Sequence, residues 1–370
     1  MTPPVRRGGR GPALSLLRKH LFGSGRARAT MLHSPEHPRF VDQLRLMQVR
    51  PLSTRVIACL TLASLAIFAC GRAGQKDQPS PTALVAAHAF PSTGCALPRA
   101  PGDYSETFES SGRSRSYLLH IPPRYDGATP VGLVLAFHGY GLTAQFFAQY
   151  TALATSADQR SDIVVFPQAL GDNLVWNVSR DASQADDASF ATELLDHLEQ
   201  TLCVDRARIY ATGFSLGGEM SQLLACLLPG RIAAIGVVAS AFSSCTAPVP
   251  LLVIHGTADP SIPYLGGTYP LNIGGGRAPA VRDVVERWAS GLGCTADVRI
   301  EQPAPDVIVS TYNGCKRGEN GVVFYVVQNG GHSWPGSPRP VAQAIAGRTT
   351  NSIRASELIM EFLENHRLPE

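Results

Sequence analysis

A serine between glycines lies near the middle of this 370-residue sequence and could act as a nucleophile. The motif Gly-Phe-Ser-Leu-Gly at residues 213–217 follows an apolar run at 209–212 and precedes apolar residues with helical spacing at 219–228. This succession predicts a strand, a tight turn and a helix, which together form a nucleophile elbow. The turn would project Ser215 towards a base, and the glycines would leave room beside it. Ordinary strand-to-helix turns also contain such motifs, so a catalytic site requires an acid and a base as well.

An acid and a base follow two later predicted strands. Asp259 comes after the buried run at 249–254, and His332 comes after the run at 322–327. The order Ser, Asp, His is that of the α/β-hydrolase fold, in which such residues gather beyond the carboxyl ends of the strands. His332 would take the proton of Ser215 during attack and return it to the leaving alcohol. Asp259 would hold the imidazole in the required tautomer and stabilise its cationic form.

Each of these residues has a second interpretation. Asp259 precedes Pro260, and an aspartate in that position is a common turn former. His332 lies between a Gly-Gly pair and Ser-Trp-Pro, where it could simply hydrogen-bond the loop. Asp306 is another candidate for the acid, although it lies in an irregular Pro-rich stretch. Three residues of suitable type, each after a strand and in the right order, favour the triad over these alternatives.

A second loop could supply the groups that stabilise an oxyanion. The sequence His-Gly-Tyr-Gly at residues 138–141 follows an earlier predicted strand, where this fold places one backbone donor. We predict that the N–H groups of Tyr140 and Leu216 form the oxyanion hole, the latter at a helix start. His138 and His255 each precede a glycine at a strand end, and we interpret both as packing and loop-orienting residues rather than bases.

The apolar pattern predicts a mostly parallel central sheet with helices on both faces, which is an α/β-hydrolase fold. Short β-branched runs alternate along the chain with longer amphipathic segments. The predicted strands are residues 116–121, 132–137, 163–166, 209–212, 232–239, 249–254 and 322–327. The predicted helices are residues 143–159, 187–202, 219–228, 279–292 and 353–365. Asp186 or Asp187 is the expected N-cap of the second helix.

The basic charge of the chain is concentrated at its amino terminus. Residues 1–55 contain eleven Lys and Arg against two Asp and Glu, whereas the formal charge of the whole chain is only +3. The remainder is therefore mildly acidic and shows no basic stripe, which argues against a nucleic-acid partner. The whole chain contains 44% apolar and 16% charged residues, which is typical of a globular protein, and no cofactor is predicted.

The first residues do not resemble part of a fold. Residues 1–46 are rich in Arg, Gly and Pro and show no sustained periodicity. They are either a basic disordered tail or translated sequence upstream of a true start at Met47 or Met31. The catalytic domain is expected at residues 95–370.

An export signal is predicted at residues 47–70. Arginines precede an apolar run that has the length of a signal h-region and is too short to span a membrane comfortably. The run ends in Ile-Phe-Ala-Cys, which resembles a bacterial lipobox and makes Cys70 the predicted lipidation site and membrane anchor. Ordinary signal cleavage and free secretion are the alternative. Residues 71–94 are expected to form a flexible linker.

The exported part contains an even number of cysteines, which suggests disulfide bonds. They are Cys95, Cys203, Cys226, Cys245, Cys294 and Cys315. Six cysteines permit fifteen pairings, and we expect Cys294 to pair with Cys315 and, less securely, Cys203 with Cys245. Cys226 could instead be a free buried thiol. The absence of a Cys-x-x-Cys pair argues against a zinc site, and no metal is predicted.

Several motifs together resemble the polyhydroxybutyrate depolymerase/feruloyl esterase family. They lie at residues 138–139, 166–168, 211–218, 255–264, 331–336 and 355–358. The resemblance extends from about Cys95 to Pro369. It implies that the family's nucleophile, acid and base are Ser215, Asp259 and His332, and that the tryptophan after the catalytic histidine is Trp334.

The predicted function is that of an exported serine carboxylesterase that forms an acyl-enzyme. The expected substrates are feruloyl or acetyl esters of polysaccharides, or short hydroxyalkanoate oligomers. Trp334, Tyr140 and Trp176 could form an aromatic wall for a phenolic acyl group, although an ordinary apolar pocket would contain the same residues. The alternatives are a prolyl-peptidase-like serine peptidase and a catalytically silent envelope-binding lipoprotein.

Overall fold

The computed structural model describes residues 89–241, 249–269, 276–295, 297–318 and 320–369. Its strands are β1 (Gly102–Ser110), β2 (Arg113–Ile121), β3 (Val131–Phe137), β4 (Ile163–Pro167), β5 (Val204–Phe214), β6 (Ala234–Val238), β7 (Leu251–Gly256), β8 (Gly267–Thr268), β9 (Arg277–Ala278), β10 (Val298–Ala304), β11 (Val307–Tyr312) and β12 (Val322–Val327). Its helices are α1 (Ala144–Thr151), α2 (Leu153–Asp158), α3 (Asp187–Thr201), α4 (Leu216–Leu227), α5 (Val281–Gly291), α6 (Gln343–Ala346) and α7 (Ala355–Glu364).

A ten-stranded sheet in the order β1-β2-β4-β3-β5-β6-β7-β12-β11-β10 forms the centre of the fold. The six strands from β4 to β12 in this order are parallel to one another, and antiparallel strands flank them on both sides. The predicted mostly parallel sheet is therefore confirmed. The short strands β8 and β9 pair separately.

Two apolar layers cover the sheet because its central strands are buried on both faces. All seven residues of β3 are buried, and their side chains alternate between the layers. Leu133, Leu135 and Phe137 belong to the layer that contains α3, α4 and α5. Val134 and Ala136 belong to the layer that contains α1, α2 and α7. Parallel β-branched strands require such cover on both faces.

The helix predicted at residues 143–159 is divided in the structure. α1 ends at Thr151, and α2 begins at Leu153 after Ala152, which has a φ of 50°. Side chains distant in the sequence bind the carbonyl groups at this break: the Ser337 hydroxyl donates to Tyr150 O, and the Ser356 hydroxyl, at the start of α7, donates to Thr151 O. Because these donors are far away in the sequence, the local apolar pattern does not reveal the break.

The strands at both edges of the sheet, β1 and β10, were not predicted from the sequence. β1 at one edge alternates exposed polar residues with half-buried ones, and β10 at the other is largely exposed. β11 carries buried residues but follows the Pro-rich stretch that made this region look irregular. Edge strands lack a continuous apolar run, which is the signal that identified the central strands.

The disulfide pairing at the start of the domain corrects one prediction. Cys95 is bonded to Cys203, so the expected pairing of Cys203 with Cys245 is wrong. The segment before Cys95 lies against the start of β5: the Ser92 N–H donates to Val204 O, and the Gly94 N–H donates to Glu199 O. These bonds bring Cys95 to Cys203, with a Cα–Cα distance of 4.0 Å.

Residues 89–94, the last residues of the expected linker, are bonded to the domain that was predicted to start at residue 95. Pro91 forms an isolated β-bridge with Asp205, and the Ser92 hydroxyl donates to Leu202 O at 2.5 Å. The rest of the segments predicted at 1–46, 47–70 and 71–94, including the lipidation site Cys70, lies outside the described residues.

The remaining cysteines divide into one confirmed prediction and one correction. Cys294 and Cys315 form the expected disulfide. Cys226 is also disulfide-bonded, so it is not a free thiol. Cys245 lies outside the described residues. Within the described ranges, no helix has the length and apolar character needed to cross a membrane.

Candidate active site

Ser215 occupies a strained turn between β5 and α4. Its φ of 55° and ψ of −124° are uncommon for a residue with a side chain, and its N–H donates to Val238 O on the neighbouring strand. The flanking glycines are required by close packing. A Cβ on Gly213 would lie 2.2 Å from Gly217 O, and a Cβ on Gly217 would lie 2.0 Å from Phe137 O. The motif thus forms the predicted strand, turn and helix.

Asp259 and His332 are in direct contact although they are 73 residues apart in the sequence. His332 Nδ1 lies 2.8 Å from Asp259 Oδ2. Asp259 Oδ1 accepts hydrogen bonds from the N–H groups of Ser261 and Ile262, both at 2.8 Å. The Asp259 side chain is fully buried, whereas the His332 side chain is 13% exposed. The aspartate is therefore held in one orientation, with an imidazole N–H directed at it.

The electrostatic surroundings of Asp259 favour its ionised form. Burial alone would raise the pKa of this carboxyl, but the hydrogen bond and positive field of His332 oppose burial and bring the pKa below its ordinary value. His255 and the Ile262 N–H act in the same direction. A buried carboxylate that is stabilised in this way can stabilise a cationic imidazole beside it.

The residue that precedes Ser215 packs against His332. The His332 ring packs against the ring of Phe214, the residue before the serine, with 4.8 Å between centroids. Because Nδ1 is directed at Asp259, Nε2 is the nitrogen left for the serine. Among the described residues, no hydrogen bond to Ser215 Oγ is recorded. Catalytic hydrogen bonds of this kind are often long in structures without substrate, and rotation about χ1 of serine can form them.

The loop at residues 138–141 lies against the Ser215 turn, as expected for an oxyanion loop. A Cβ on Gly139 would be 3.4 Å from the Cβ of Ser215, so the two backbones are close. Within the described part of the chain, neither the Tyr140 N–H nor the Leu216 N–H has a recorded hydrogen-bond partner. Both donors are therefore unpaired within the described residues.

A buried network holds this loop. His138 Nε2 accepts from the Ala169 N–H at 3.1 Å and lies 3.1 Å from Gln168 Nε2, so Nδ1 carries the hydrogen and donates to Gly139 O at 2.8 Å. Burial lowers the pKa of His138 to about 4 and keeps the ring neutral. The Trp176 indole N–H donates to His138 O at 2.8 Å. Gln168 also accepts from the Ala144 N–H, at the start of α1.

Two of the predicted substrate-binding aromatics are not available to a substrate. Trp176 is 1% exposed, and its contacts are with Phe137 and His138. Trp334 is also 1% exposed; its indole N–H donates to the Ser356 hydroxyl. Tyr140, with 43% of its surface exposed, is the one member of the predicted aromatic wall that faces solvent. The prediction of a substrate-binding aromatic wall is therefore wrong for both tryptophans. They instead stabilise the loops that carry His138 and His332.

Asp306, the second candidate for the acid, is occupied elsewhere. Its carboxylate accepts hydrogen bonds from the Thr350 hydroxyl at 2.7 Å and from Arg348 at 2.9 Å. Hydrogen bonds from Thr350 and Ser352, together with Arg348, lower the pKa of Asp306 to about 2. Asp306 lies in the turn between β10 and β11, and its bonds are with Thr350 and Arg348, whereas the bond of His332 Nδ1 is with Asp259.

Gln168 is a residue of this network that was not predicted from the sequence. This residue bridges His138 and the start of α1, and it follows β4 in a Phe-Pro-Gln motif at residues 166–168. The only available signal was the position of a polar residue directly after a buried strand. That signal identified Asp259 and His332 but was not applied to Gln168.

The known proteins that this chain resembles are esterases. The model of the family described as "Esterase PHB depolymerase" matches residues 115–252. Feruloyl esterase D of Neurospora crassa is 30% identical over 266 residues, which are 67% of this chain and 84% of that protein. Feruloyl esterase C of Emericella nidulans is 29% identical over 64% of this chain and 82% of its own length. NocK of Nocardia uniformis subsp. tsuyamanensis, provisionally named an esterase, is 30% identical over 68% of this chain and 80% of its own length.

Proposed function

The chain belongs to the polyhydroxybutyrate depolymerase/feruloyl esterase family and is a carboxylic ester hydrolase, and we propose that it acts as a serine esterase with Ser215, His332 and Asp259 as its triad. The observation that carries this proposal is the 2.8 Å contact between His332 Nδ1 and Asp259 Oδ2 beside the strained Ser215 turn. This contact fixes the tautomer in which Nε2 can accept a proton from serine.

The reaction consists of two transfers. In the first, Ser215 Oγ attacks the ester carbonyl while His332 Nε2 takes its proton, and the oxyanion is stabilised by the N–H groups of Tyr140 and Leu216. The tetrahedral intermediate releases the alcohol, which receives that proton from His332, and an acyl-serine remains. In the second, water attacks the acyl-serine with the same base, and the acid and free Ser215 are released. Asp259 stays ionised throughout and stabilises the transient imidazolium.

The proposed substrates are esters of the kind named for the relatives. Two of the compared fungal proteins are named feruloyl esterases, so feruloyl esters are the first candidates, followed by acetyl esters of polysaccharides and short hydroxyalkanoate oligomers. Tyr140 is the exposed aromatic residue beside the candidate oxyanion hole, and it could contact the acyl group. Initial rates with methyl ferulate, acetylated xylan and hydroxybutyrate oligomers would rank these classes. Faster turnover of a peptide amide than of all three esters would instead favour the prolyl-peptidase-like alternative.

Export is proposed as well. The disulfides Cys95–Cys203 and Cys294–Cys315 are of the kind that persists in oxidising compartments, which supports a location outside the cytosol. Lipidation at Cys70 would then anchor the protein to the envelope. Expression of the full chain and of Cys70→Ala, followed by fractionation, tests this: the wild type should remain with membranes and the variant should be released. Equal release of both would exclude the anchor.

The hydrolysis of p-nitrophenyl acetate tests the enzymatic proposal. Ser215→Ala should lower the rate to background, because removal of a triad serine leaves little catalysis. Ser221→Ala is a matched control. Ser221 is a buried serine on α4, the helix that follows Ser215, and its hydroxyl donates to Gly217 O. It should retain activity. Equal rates for the wild type and Ser215→Ala would leave the silent envelope-binding protein as the better account.

A further inference from the structure

A second imidazole lies behind the contact between Asp259 and His332. His255 is at the end of β7, and its side chain is fully buried. Its Nε2 lies 3.0 Å from Ile262 O and 3.5 Å from Asp259 Oδ2, the same carboxylate oxygen that contacts His332. The carboxylate is thus flanked by two imidazoles, one buried behind it and one facing the candidate nucleophile. The proposed reaction gives the buried one no role.

The neighbours of His255 determine its tautomer. Ile262 O, at 3.0 Å from Nε2, and Asp259 Oδ2 are both acceptors, which favours the hydrogen on Nε2. Nδ1 has no partner within hydrogen-bonding geometry among the described residues, although the backbone of Ser240 faces the ring and favours its charged form. The other groups that face the ring are His332, the backbone of Ser240 and the ring of Tyr264, at 6.2 Å between centroids. Burial is the largest influence on this ring: it lowers the pKa of His255 and favours its neutral form.

His255 and Asp259 are both hydrogen-bonded to the turn at residues 259–262. The Ile262 N–H donates to Asp259 Oδ1, and Ile262 O accepts from His255 Nε2. The Ser261 N–H supplies a further bond to Oδ1. The peptide unit before Ile262 is thus bonded to the Asp259 carboxylate, and the peptide unit after Ile262 is bonded to the His255 imidazole. Movement of the turn relative to β7 would rotate the carboxylate away from His332.

We propose that His255 is a positioning residue of this esterase, whose Nε2–H fixes the turn at residues 259–262 and the Oδ2 atom so that Asp259 faces His332. The inference rests on the proposed function of the triad. A neutral donor suits this role. It orients the carboxylate and stabilises its charge, but it does not neutralise that charge as a cationic partner would. Asp259 therefore remains fully available to the imidazolium that forms at His332.

Replacement of His255 by residues with and without a donor tests this inference. His255→Gln places an amide N–H close to the original Nε2 position, whereas His255→Leu removes the donor. We expect His255→Leu to lower kcat for p-nitrophenyl acetate by about 10–100-fold, the scale of a small misplacement of a catalytic group, with KM changed by less than about threefold. We expect His255→Gln to retain most of the wild-type kcat.

The pH profile separates positioning from a merely structural role. Without the Nε2–H, the charge of Asp259 is less stabilised and attracts the proton on His332 more strongly. The acidic limb of kcat/KM should therefore move to higher pH in His255→Leu and stay in place in His255→Gln. Equal losses in both variants with unchanged pH profiles would overturn the proposal. So would wild-type rates in His255→Leu.

A folding defect in His255→Leu and a failure of the proposed triad can each be recognised separately. If thermal melting shows that His255→Leu does not fold, His255→Asn replaces it, because its shorter amide matches the Nδ1 position and cannot reach Ile262 O. It should show the same loss of kcat and the same shift of the acidic limb. Failure of the proposed function would be seen separately, as an inactive wild type or an active Ser215→Ala, whatever the His255 variants do.

Discussion

His138 and His332 show how one residue type serves two purposes in this site. His332 is 13% exposed and directs Nδ1 at a carboxylate, whereas His138 is buried and hydrogen-bonds only neutral groups. The first arrangement stabilises an imidazolium, which a proton-accepting base requires. The second prevents protonation and maintains the loop that carries Tyr140. Their surroundings, rather than their residue type, distinguish the proposed base from the residue that supports the loop.

The depressed pKa of His138 predicts a loss of stability in acid. In the folded state its pKa is about 4, below the ordinary 6.5, because burial disfavours the charged ring. The unfolded chain therefore binds a proton that the folded chain does not, and the free energy of unfolding falls as the pH drops from about 6.5 to about 4. The contribution reaches about 3 kcal/mol at pH 4.

Thermal melting of the wild type and of His138→Gln between pH 6.5 and 4 checks the direction and the size of this loss of stability. Glutamine can present an acceptor to the Ala169 N–H but does not titrate, so the variant should lose less stability between pH 6.5 and 4. Parallel curves for the two proteins would show that His138 titrates normally.

The sequence predicted the members of the candidate triad because each follows a buried strand. Parallel strands bring their carboxyl ends to one edge, so Ser215, Asp259 and His332 could be placed together without knowledge of their contacts. The positions of Trp176 and Trp334 could not be predicted in this way. Their burial depends on acceptors 38 and 22 residues away, and an aromatic residue near a site has the same sequence pattern whether it is buried or exposed.

At the level of elements, the site requires α4 to begin against the end of β3. Gly217 makes this possible, because any Cβ there would lie 2.0 Å from Phe137 O and 2.5 Å from His138 O. Both the nucleophile turn and the oxyanion loop meet at this contact. Displacement of the helix would therefore separate Ser215 from the loop that carries Tyr140.

Gly217→Ala should thus abolish esterase activity and lower the melting temperature. Displacement of packed backbone typically costs about 1–3 kcal/mol or more. Gly230→Ala is the matched control, since a Cβ at Gly230 meets nothing within 4 Å. It should melt and hydrolyse p-nitrophenyl acetate like the wild type. Full activity in Gly217→Ala would contradict the close approach of α4 and β3.

The elements themselves were predictable where apolar periodicity was continuous. β12 has the predicted bounds, Val322–Val327, and α3 begins at Asp187 with Asp186 as its N-cap. β1 and β10 were missed because edge strands need only partial burial and contain many polar residues. The division between α1 and α2 was missed because it depends on hydroxyl groups of Ser337 and Ser356, which are far away in the sequence.

At the scale of the whole molecule, two described disulfides close loops of very different length. Cys95 and Cys203 are 108 residues apart, whereas Cys294 and Cys315 are 21 residues apart. A cross-link that closes a longer loop restricts the unfolded chain more strongly. The Cys95–Cys203 bond also attaches the first described segment, which starts at residue 89, to the end of the chain segment that leads into β5. It should therefore contribute more to stability than the Cys294–Cys315 bond.

Double alanine replacement of each pair tests this order. On the chain-entropy argument, removal of Cys95–Cys203 should lower the free energy of unfolding by about 5 kcal/mol, and removal of Cys294–Cys315 by about 3 kcal/mol. Urea unfolding of both variants and of the wild type gives the comparison directly. A larger loss from the shorter loop would contradict the chain-entropy argument and would indicate that local packing dominates.

Covalent labelling with a fluorophosphonate tests the triad most directly, because the reagent reacts with a serine only when a neighbouring base activates it. Peptide mass spectrometry of the labelled protein should show one adduct, on Ser215. Ser215→Ala should show none, and His332→Ala should react at least about 100-fold more slowly, the scale of general-base catalysis. An unlabelled Ser215 in the wild type, or equal labelling rates for the wild type and His332→Ala, would contradict the account.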